Sequence, residues 1–266
     1  MLRRLSMLEG FTIAATDGDI GRVADAYFDD QSWTVRHLVV DTGGWLSGRQ
    51  VLISPLSLTA VDWEHDRLHA HLTRAQVEGS PSIDTDKPIS RQHEMDYYGY
   101  YGMPYYWTGP YRWGAWATPL DYGTAPGVAA NPEAAEIRQA VVTGEREPGD
   151  AHLRSARTVR GYAIRATDGD VGHVEDFLLD DRDWALRYLV VDTRNWLPGK
   201  HVLVSPEWID RISWPESAVH VNMLRETIRS SPEFDPATPP ERAYEASLYD
   251  YYGRPRYWER ERDRAA

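Results

Sequence analysis

"ATDGDIGRVADAYFDD" at residues 15–30 returns as "ATDGDVGHVEDFLLDD" at residues 166–181, so one segment occurs twice in nearly identical form. The offset of 151 positions holds without a gap far beyond these stretches. It aligns "LVVDT" at 38 with "LVVDT" at 189, "VLISP" at 51 with "VLVSP" at 202, and "YYGMPYYW" at 100 with "YYGRPRYW" at 251. A gap-free period of this length indicates a tandem duplication of a unit of about a hundred residues.

Within each unit, the signals are those of short strands joined by tight turns. Asp17–Gly18 follows "GFTIAA" and has the residue types that a two-residue hairpin turn selects. Gly21, with Gly172 in the second copy, predicts a β-bulge or a close backbone approach in the return strand. Five or six such strands within about 65 residues are typical of a small antiparallel β-barrel. The predicted fold is therefore mainly β, with two such barrels.

A helix is predicted after each barrel. In the second copy, Thr238 is the expected N-cap, Pro239 the first helical residue, Glu241 the partner in a capping box and Gly253 the C-terminal glycine. Tyrosines recur at helical spacing before Gly253, so one aromatic face is expected to pack on the barrel.

These signals divide the chain into two units, a connecting segment and a tail. The connecting segment is rich in Gly, Pro and Ala, which favours a linker, and it includes one short helix predicted from Asn131 to Gly144. The predicted boundaries are 1–107 for unit 1 (barrel 10–80, helix and aromatic segment 86–107), 108–157 for the linker, 158–258 for unit 2 (barrel 161–231, helix and aromatic segment 238–258) and 259–266 for a charged tail.

The composition narrows the classes of function. The 266 residues carry a formal net charge of -12, which opposes binding to nucleic acid, and no cysteine, which excludes disulfides and thiolate metal sites. No run of about 20 apolar residues and no signal peptide is present, so a soluble cytoplasmic protein is expected. Peripheral association with a membrane stays open.

The paired segments "GFTIAATDGDIGRVADAYFDD...VRHLVVDTGGWLSGRQVLISP" and "GYAIRATDGDVGHVEDFLLDD...LRYLVVDTRNWLPGKHVLVSP" resemble PRC-barrel domains. The whole chain resembles a tandem PRC-barrel protein. This fold occurs in the photosynthetic reaction centre H subunit and in a ribosome-maturation factor. The resemblance implies a role in protein interaction or assembly and no catalysis.

The resulting prediction is a non-enzymatic adaptor without cofactors, whose protein partners the sequence does not name. The duplication predicts an intramolecular pseudo-dimer and leaves homo-oligomerisation open. One alternative is a module that binds a small ligand or a photosynthetic or electron-transfer complex. A ribosome-associated or RNA-associated factor is less favoured because of the acidic charge.

Aromatic residues are the candidate partner surface. Tyr and Trp suit exposed binding platforms, but the shared register of these residues favours packing onto each barrel instead. Residues 108–116 have no counterpart in the second copy and are the better candidate for a free surface. The candidates are Trp33, Trp45, Tyr100, Tyr101, Tyr106, Trp107, Tyr111, Trp113, Trp116, Trp184, Trp196, Tyr251, Tyr252, Tyr257 and Trp258.

Other polar motifs are interpreted as structural, so no catalytic, cofactor or metal residue is assigned. Asp17 and Asp19 lack the alternating ligands and closing Glu of a calcium loop. His69 and His71 alternate on a strand and could hold a transition metal, yet no third ligand is evident. Ser54 lacks the sequence context of a nucleophile.

Overall fold

The computed structural model describes residues 1–81, 83, 89–123, 153–193 and 200–265. It divides the chain into two compact units. The N unit comprises Leu5–Thr158 and Asp180–Leu186, and the C unit comprises Met1–Arg4, Val159–Leu179 and Arg187–Ala266. The predicted linker helix at 131–144 lies outside the described residues.

The described fold is mainly β. The strands are β1 Leu2–Arg4, β2 Thr12–Ala15, β3 Gly18–Asp29, β4 Thr34–Asp41, β5 Gln50–Ile53, β6 Leu58–Asp62, β7 Arg67–Ala70, β8 Leu153–Ser155, β9 Ala163–Ala166, β10 Gly169–Asp180, β11 Leu186–Asp192, β12 His201–Val204, β13 Ile209–Ser213 and β14 Ala218–Val221. The helices are α1 Arg74–Glu78, α2 Arg91–Tyr101, α3 Pro119–Gly123, α4 Ala156–Val159, α5 Arg225–Arg229, α6 Arg242–Tyr252 and α7 Tyr257–Ala265. Single 3₁₀ turns lie at Leu5–Leu8, Gly43–Leu46, Pro55–Ser57 and Pro206–Trp208.

Each unit contains one seven-stranded sheet of mixed orientation. The strand order is β5-β4-β3-β2-β7-β6 in the N unit and β12-β11-β10-β9-β14-β13 in the C unit, with a seventh strand attached beside this path in each. The pairs β2–β7 and β9–β14 are parallel. The prediction of two mainly β units is confirmed, whereas that of closed or nearly closed antiparallel barrels is not, because among the described residues the sheets do not close and each includes a parallel pair.

The connection between β5 and β6 explains the open sheet. These two strands stand at opposite ends of the strand order, yet only residues 54–57 separate them along the chain. A connection of this length spans at most about 18 Å, so the end of β5 and the start of β6 lie within that distance of each other. Because these strands are at opposite ends of the strand order, the sheet must be strongly curved. Residues 55–57 form a 3₁₀ turn that begins with a proline, which lacks the N–H donor a continuing ladder needs.

The seventh strand of each sheet comes from the opposite repeat. β1 pairs with β10 in the C unit, and β8 pairs with β3 in the N unit. The offset of 151 positions aligns β1 with β8, so the two strands are equivalent and the exchange is reciprocal. Residues 153–155 therefore belong to a sheet and not to the predicted linker at 108–157.

An equivalent aspartate in each unit fixes the added strand. The Asp176 carboxylate accepts a hydrogen bond from Arg4 Nε at 2.8 Å in the C unit. The Asp25 carboxylate accepts one from Ser155 Oγ at 2.5 Å in the N unit. Asp25 also accepts from the backbone N–H of Arg157 at 3.0 Å. The first strand of each repeat therefore has side-chain as well as backbone anchors in its sheet.

Gly21 and Gly172 confirm the predicted close approach. A Cβ atom at either position would lie about 2 Å from the backbone oxygen of Asp41 or Asp192, at 2.1 and 2.0 Å respectively. The register of the C-unit hairpin shifts at this point, between Asp170 and Gly172. Only glycine fits here without moving the neighbouring strand.

The hairpin turn differs by one residue from the prediction. Gly18 already pairs with Ala15, so Thr16 and Asp17 form the two-residue turn. The Asp17 carboxylate accepts a hydrogen bond from the backbone N–H of Arg74, the first residue of α1, at 2.8 Å. This hydrogen bond connects the turn of the repeated "TDGD" segment to the short helix α1.

Helix α6 starts later than the capping pattern predicted. Its N-cap is Glu241, and Thr238 instead contacts Asp235, with its hydroxyl 3.3 Å from the carboxylate. Pro239 precedes Pro240, and a residue before proline is driven out of the helical region, so the predicted start at Pro239 is excluded. Gly253 ends the helix in the left-handed conformation at φ 60°, as predicted.

The core of each unit lies against the buried face of its sheet. Leu38 to Val40 are at most 3% exposed, which fits the prediction of a strand buried on both sides.

The predicted charged tail is not separate from the aromatic segment, because helix α7 begins in that segment and continues through the tail. In the described part of the chain, no helix has the length and apolar character needed to cross a membrane.

Candidate functional site

A helix and the aromatic segment after it pack against the sheet in each unit; we call residues 91–107 and 242–258 the aromatic clasps. In the N unit, the Tyr97 hydroxyl accepts a hydrogen bond from the backbone N–H of Ser54 at 2.9 Å. In the C unit, the Tyr249 ring lies 5.3 Å from the Trp208 ring, edge to face. Burial raises the pKa of Tyr249 to about 12. The inner tyrosines therefore belong to the core.

A buried carboxylate lies at the centre of the N-unit clasp. Glu94 is 3% exposed. Its Oε1 accepts a hydrogen bond from the Tyr106 hydroxyl at 2.9 Å, and its Oε2 lies 3.0 Å from Arg91 Nη1. His37 on β4 places Nε2 3.9 Å from the same Oε1. Burial lowers the pKa of His37, which keeps its ring neutral at pH 7.

The C unit repeats this cluster with one change. Glu245 is 2% exposed, and its Oε2 accepts hydrogen bonds from the hydroxyls of Tyr188 at 3.0 Å and Tyr257 at 3.1 Å. Arg242 Nη1 lies 3.1 Å from Oε1. Burial raises the pKa of Glu245 despite these donors. In both units the carboxylate joins strand, helix and aromatic segment, which is the arrangement of a structural lock.

Residues 108–116, the predicted free surface, pack into the N unit in part, whereas Tyr111 is 51% exposed. Trp113 is fully buried, and its Nε1 donates to the backbone oxygen of Asp183 at 2.8 Å. The Arg36 guanidinium lies 3.7 Å from the Tyr106 ring centroid and 4.9 Å from that of Trp113. Arg36 Nη1 also donates to the backbone oxygen of Arg112 at 2.7 Å. Charged side chains thus hold this aromatic segment against β4.

Most of the aromatic residues singled out from the sequence are packed within their units. The buried ones are Tyr106, Trp113, Trp184 and Tyr257. The half-buried ones are Trp33, Trp45, Tyr101, Trp107, Trp116, Tyr252 and Trp258. The exposed ones are Tyr100, Tyr111 and Tyr251, and Trp196 lies outside the described residues.

Tyr100 and Tyr251 occupy equivalent positions, and both are exposed, at 45% and 41%. The Tyr100 hydroxyl donates to the backbone oxygen of Gln76 at 2.8 Å, and the Tyr251 hydroxyl donates to that of Thr227 at the same distance. Each ring is therefore held in one orientation while much of it faces solvent. We call these two residues the tyrosine pair.

A second cluster lies in the C unit and was not predicted from the sequence. We call it the His-carboxylate cluster; Glu175, Asp192 and His201 form it, and His173 lies beside Asp192. Glu175 Oε2 lies 2.6 Å from His201 Nε2, and Asp192 Oδ2 lies 3.9 Å from His173 Nε2. The sequence does show a His and a Glu alternating on β10. The other residues of the cluster lie on other strands, so the sequence does not show that they meet.

The histidine and serine motifs noted in the sequence are not part of this cluster. His69 and His71 are both exposed. His220, the counterpart of His69, lies 3.2 Å from Glu216. Ser54 accepts a hydrogen bond from the backbone N–H of Leu56 at 3.3 Å and caps a 3₁₀ turn. These contacts fit the structural interpretation given to Ser54.

A comparison with protein families gives the chain its classification. The sequence profile of the PRC-barrel domain matches residues 2–77 and 152–226, together more than half of the chain. Each match begins at or next to an exchanged strand, β1 or β8, and ends in or near the short helix after the last strand of its sheet. No curated protein matched the chain in a sequence search. The two matches and the two equivalent sheets show that this chain belongs to the PRC-barrel domain family and carries the domain twice.

Proposed function

We propose that this protein is a non-enzymatic protein-interaction adaptor and that the tyrosine pair supplies its contact residues, one in each unit. One observation carries the proposal: Tyr100 and Tyr251 are exposed at equivalent positions, and each is fixed by a hydrogen bond to the adjacent helix. Tyrosine is enriched at protein interfaces. A ring that is already held in place also loses less conformational entropy on binding than a free ring does.

The other aromatic residues support this choice of surface. The inner clasp tyrosines and Trp113 are used in packing within the units, so they offer no free ring to a partner. In the C unit, Leu224 is 55% exposed and is the N-cap of α5, the helix that receives the Tyr251 hydroxyl. Burial and the neighbouring Glu226 raise the pKa of Tyr251, so its phenol stays a donor at pH 7.

The adaptor function is tested by capturing partners from the cells that make the protein, under gentle cross-linking, followed by mass spectrometry. The test variant is the double substitution Tyr100→Ala and Tyr251→Ala. The control is Tyr111→Ala, which removes a tyrosine that is 51% exposed outside the pair. Circular dichroism and thermal melting confirm that all three proteins are folded.

We expect a defined set of proteins with the wild type and with the control, and loss of that set with the double variant. Interface hot-spot residues cost about 2 kcal/mol or more when truncated, so the loss for a single pairwise contact should exceed tenfold. Equal recovery of the partner proteins with all three proteins would mean that the contact residues are not the tyrosine pair. Recovery at background level with the wild type would overturn the adaptor function.

A further inference from the structure

We propose that the His-carboxylate cluster of the C unit is a binding site for a divalent transition metal, and that Zn²⁺ is the ion it fits best. The site is separate from the tyrosine pair, so the proposal does not rest on the adaptor function. Three neighbouring strands, β10, β11 and β12, carry its residues.

The sheet brings these side chains together. Asp192 on β11 and His201 on β12 are direct partners in the antiparallel register. His173 and Glu175 are two residues apart on β10, and residues at this spacing face the same side of a strand. Register therefore places three ligand side chains on one patch of the sheet, with His173 beside them.

The distances suit a single ion. One ligand atom each from Glu175, Asp192 and His201 lies within 4.8 Å of the others. Donors bound to tetrahedral Zn²⁺ at about 2.0–2.1 Å are about 3.3–3.5 Å apart. The Glu175–His201 distance of 2.6 Å must lengthen and the Asp192–His173 distance of 3.9 Å must shorten, each by less than about 1 Å, and the other ligand atoms, up to 4.8 Å apart, must approach by up to about 1.5 Å. The half-buried side chains of Glu175 and His201 must rotate to accommodate such changes.

The donor chemistry selects the class of ion. Two imidazoles and two carboxylates are ligands that Zn²⁺ accepts in a tetrahedral site, whereas Ca²⁺ and Mg²⁺ prefer oxygen ligands alone. The two carboxylates also supply negative charge that a bound cation balances.

Arg4 on the exchanged strand supports Glu175 without blocking the proposed site. Its Nη2 lies 3.0 Å from Glu175 Oε1, the oxygen on the other side of the carboxylate from the His201 contact. Hydrogen bonds of this kind orient metal ligands. Its Nε is bound to Asp176, so the guanidinium is held in place.

Solvent can reach the cluster. The side chains of His173 and His201 are 39% and 18% exposed, while Asp192 is fully buried. The buried Asp192 carboxylate forms the inner side of the site, and the two imidazoles form the side that solvent reaches. An ion could enter from the imidazole side without unfolding the sheet.

The N unit supplies a natural comparison, because it has the same sheet without this donor set. The equivalent residues are Arg22, Ala24, Asp41 and Gln50. Arg22 donates a hydrogen bond to the backbone oxygen of Gly10 at 3.0 Å. Since the fold accommodates these residues in one unit, the same residues are suitable substitutions in the other.

The test is isothermal titration of the full chain, without a histidine tag, with Zn²⁺. The test variants are His201→Gln and Glu175→Ala, which restore the N-unit residues. The control is His69→Ala, which removes an exposed imidazole in the N unit. Titration with Co²⁺, followed by its visible absorption, reports the ligand geometry independently of affinity.

We expect one Zn²⁺ per chain, and binding at least about a hundredfold weaker in both variants, because loss of outer hydrogen-bond partners alone costs about 10–100-fold. The His69→Ala control should bind like the wild type. Co²⁺ should give the intense visible bands of a tetrahedral site in the wild type and the control. Absence of one-to-one binding, or equal affinity in the wild type and both variants, would overturn the proposal in favour of a plain ion pair between Glu175 and His201.

Discussion

Glu94 and Glu245 are the same residue in the two repeats, yet one faces His37 and the other Tyr188. Both partners sit at the same position of the sheet, and both are buried under the aromatic clasp. The repeats therefore keep the carboxylate and vary its partner. A neutral imidazole 3.9 Å away offers less stabilisation than a phenol that donates at 3.0 Å.

The raised pKa of Glu245 predicts a pH dependence of stability. The folded C unit holds this proton more tightly than the unfolded chain does. The contribution of Glu245 to the free energy of unfolding is thus complete below about pH 4.3 and is lost as pH rises through the raised pKa. Each tenfold difference in proton affinity between the folded and unfolded chain corresponds to about 1.4 kcal/mol.

Urea unfolding of the wild type and Glu245→Gln at pH 4 and pH 7 measures this effect. The difference in free energy of unfolding, wild type minus variant, should be smaller at pH 7 than at pH 4. Glu64→Gln, a change at an exposed carboxylate, is the control and should show no such effect. A difference that grows with pH would show that the donors around Glu245 outweigh its burial.

Gly21 and Gly172 predict a second effect at single positions. Replacing Gly21 with alanine places Cβ 2.1 Å from the Asp41 oxygen, so the strand must move. We expect a loss of about 1–3 kcal/mol or more in the free energy of unfolding, measured by urea denaturation.

Gly99→Ala is the matched control for Gly21→Ala. A Cβ at Gly99 meets no atom within 4 Å, and the residue lies inside helix α2. This change should leave stability equal or higher, because alanine has the better helix propensity. If both variants lost the same stability, the close approach at Gly21 would not be the cause.

At the scale of single residues, the sequence predicts well where one residue type is required. Gly21 and Gly253 were located correctly because close backbone approach and left-handed backbone both select glycine. The start of α6 was placed wrongly because a local capping pattern competed with the restriction that Pro240 imposes on Pro239.

At the scale of elements, the exchanged strands determine the edges available in each sheet. β1 is three residues long, and it covers backbone groups of β10 that would otherwise be open to water. An uncovered strand edge exchanges its amide hydrogens faster and invites pairing with other chains.

Removal of residues 1–4 should therefore raise amide hydrogen exchange in β10. The effect should appear in the part of β10 that pairs with β1, and hydrogen exchange followed by mass spectrometry measures it peptide by peptide. The equivalent strand β3 keeps β8 and serves as the control within the same molecule. Unchanged exchange in β10 would mean that β1 contributes little to the sheet.

The exchange of strands could not be predicted from sequence. β1 and β8 are too short to show a period, and their partners lie far away along the chain. A pattern of residues specifies that a strand forms, whereas the choice of partner depends on which sheet edge is left open. For the same reason, residues 153–155 were taken for part of a linker.

At the scale of the whole molecule, the duplication predicted two β units of one family, and the structure and the family match confirm this. It did not predict the open, mixed sheets, because hairpin signals reveal antiparallel neighbours but not the parallel pair β2–β7. The His-carboxylate cluster was missed for a related reason. Its residues are spread over three strands, and only the register unites them.

The reciprocal position of β1 has a consequence for how the protein is made. A ribosome completes residues 2–4 long before Asp176, the residue that Arg4 contacts, which is 172 positions later in the chain. At about 5–20 residues per second, the strand waits roughly 10–30 seconds for its sheet. β8, by contrast, is synthesised after the strand it joins. Strand β1 therefore has no partner until long after it is made, whereas the partner of the equivalent strand β8 is already present when β8 is made.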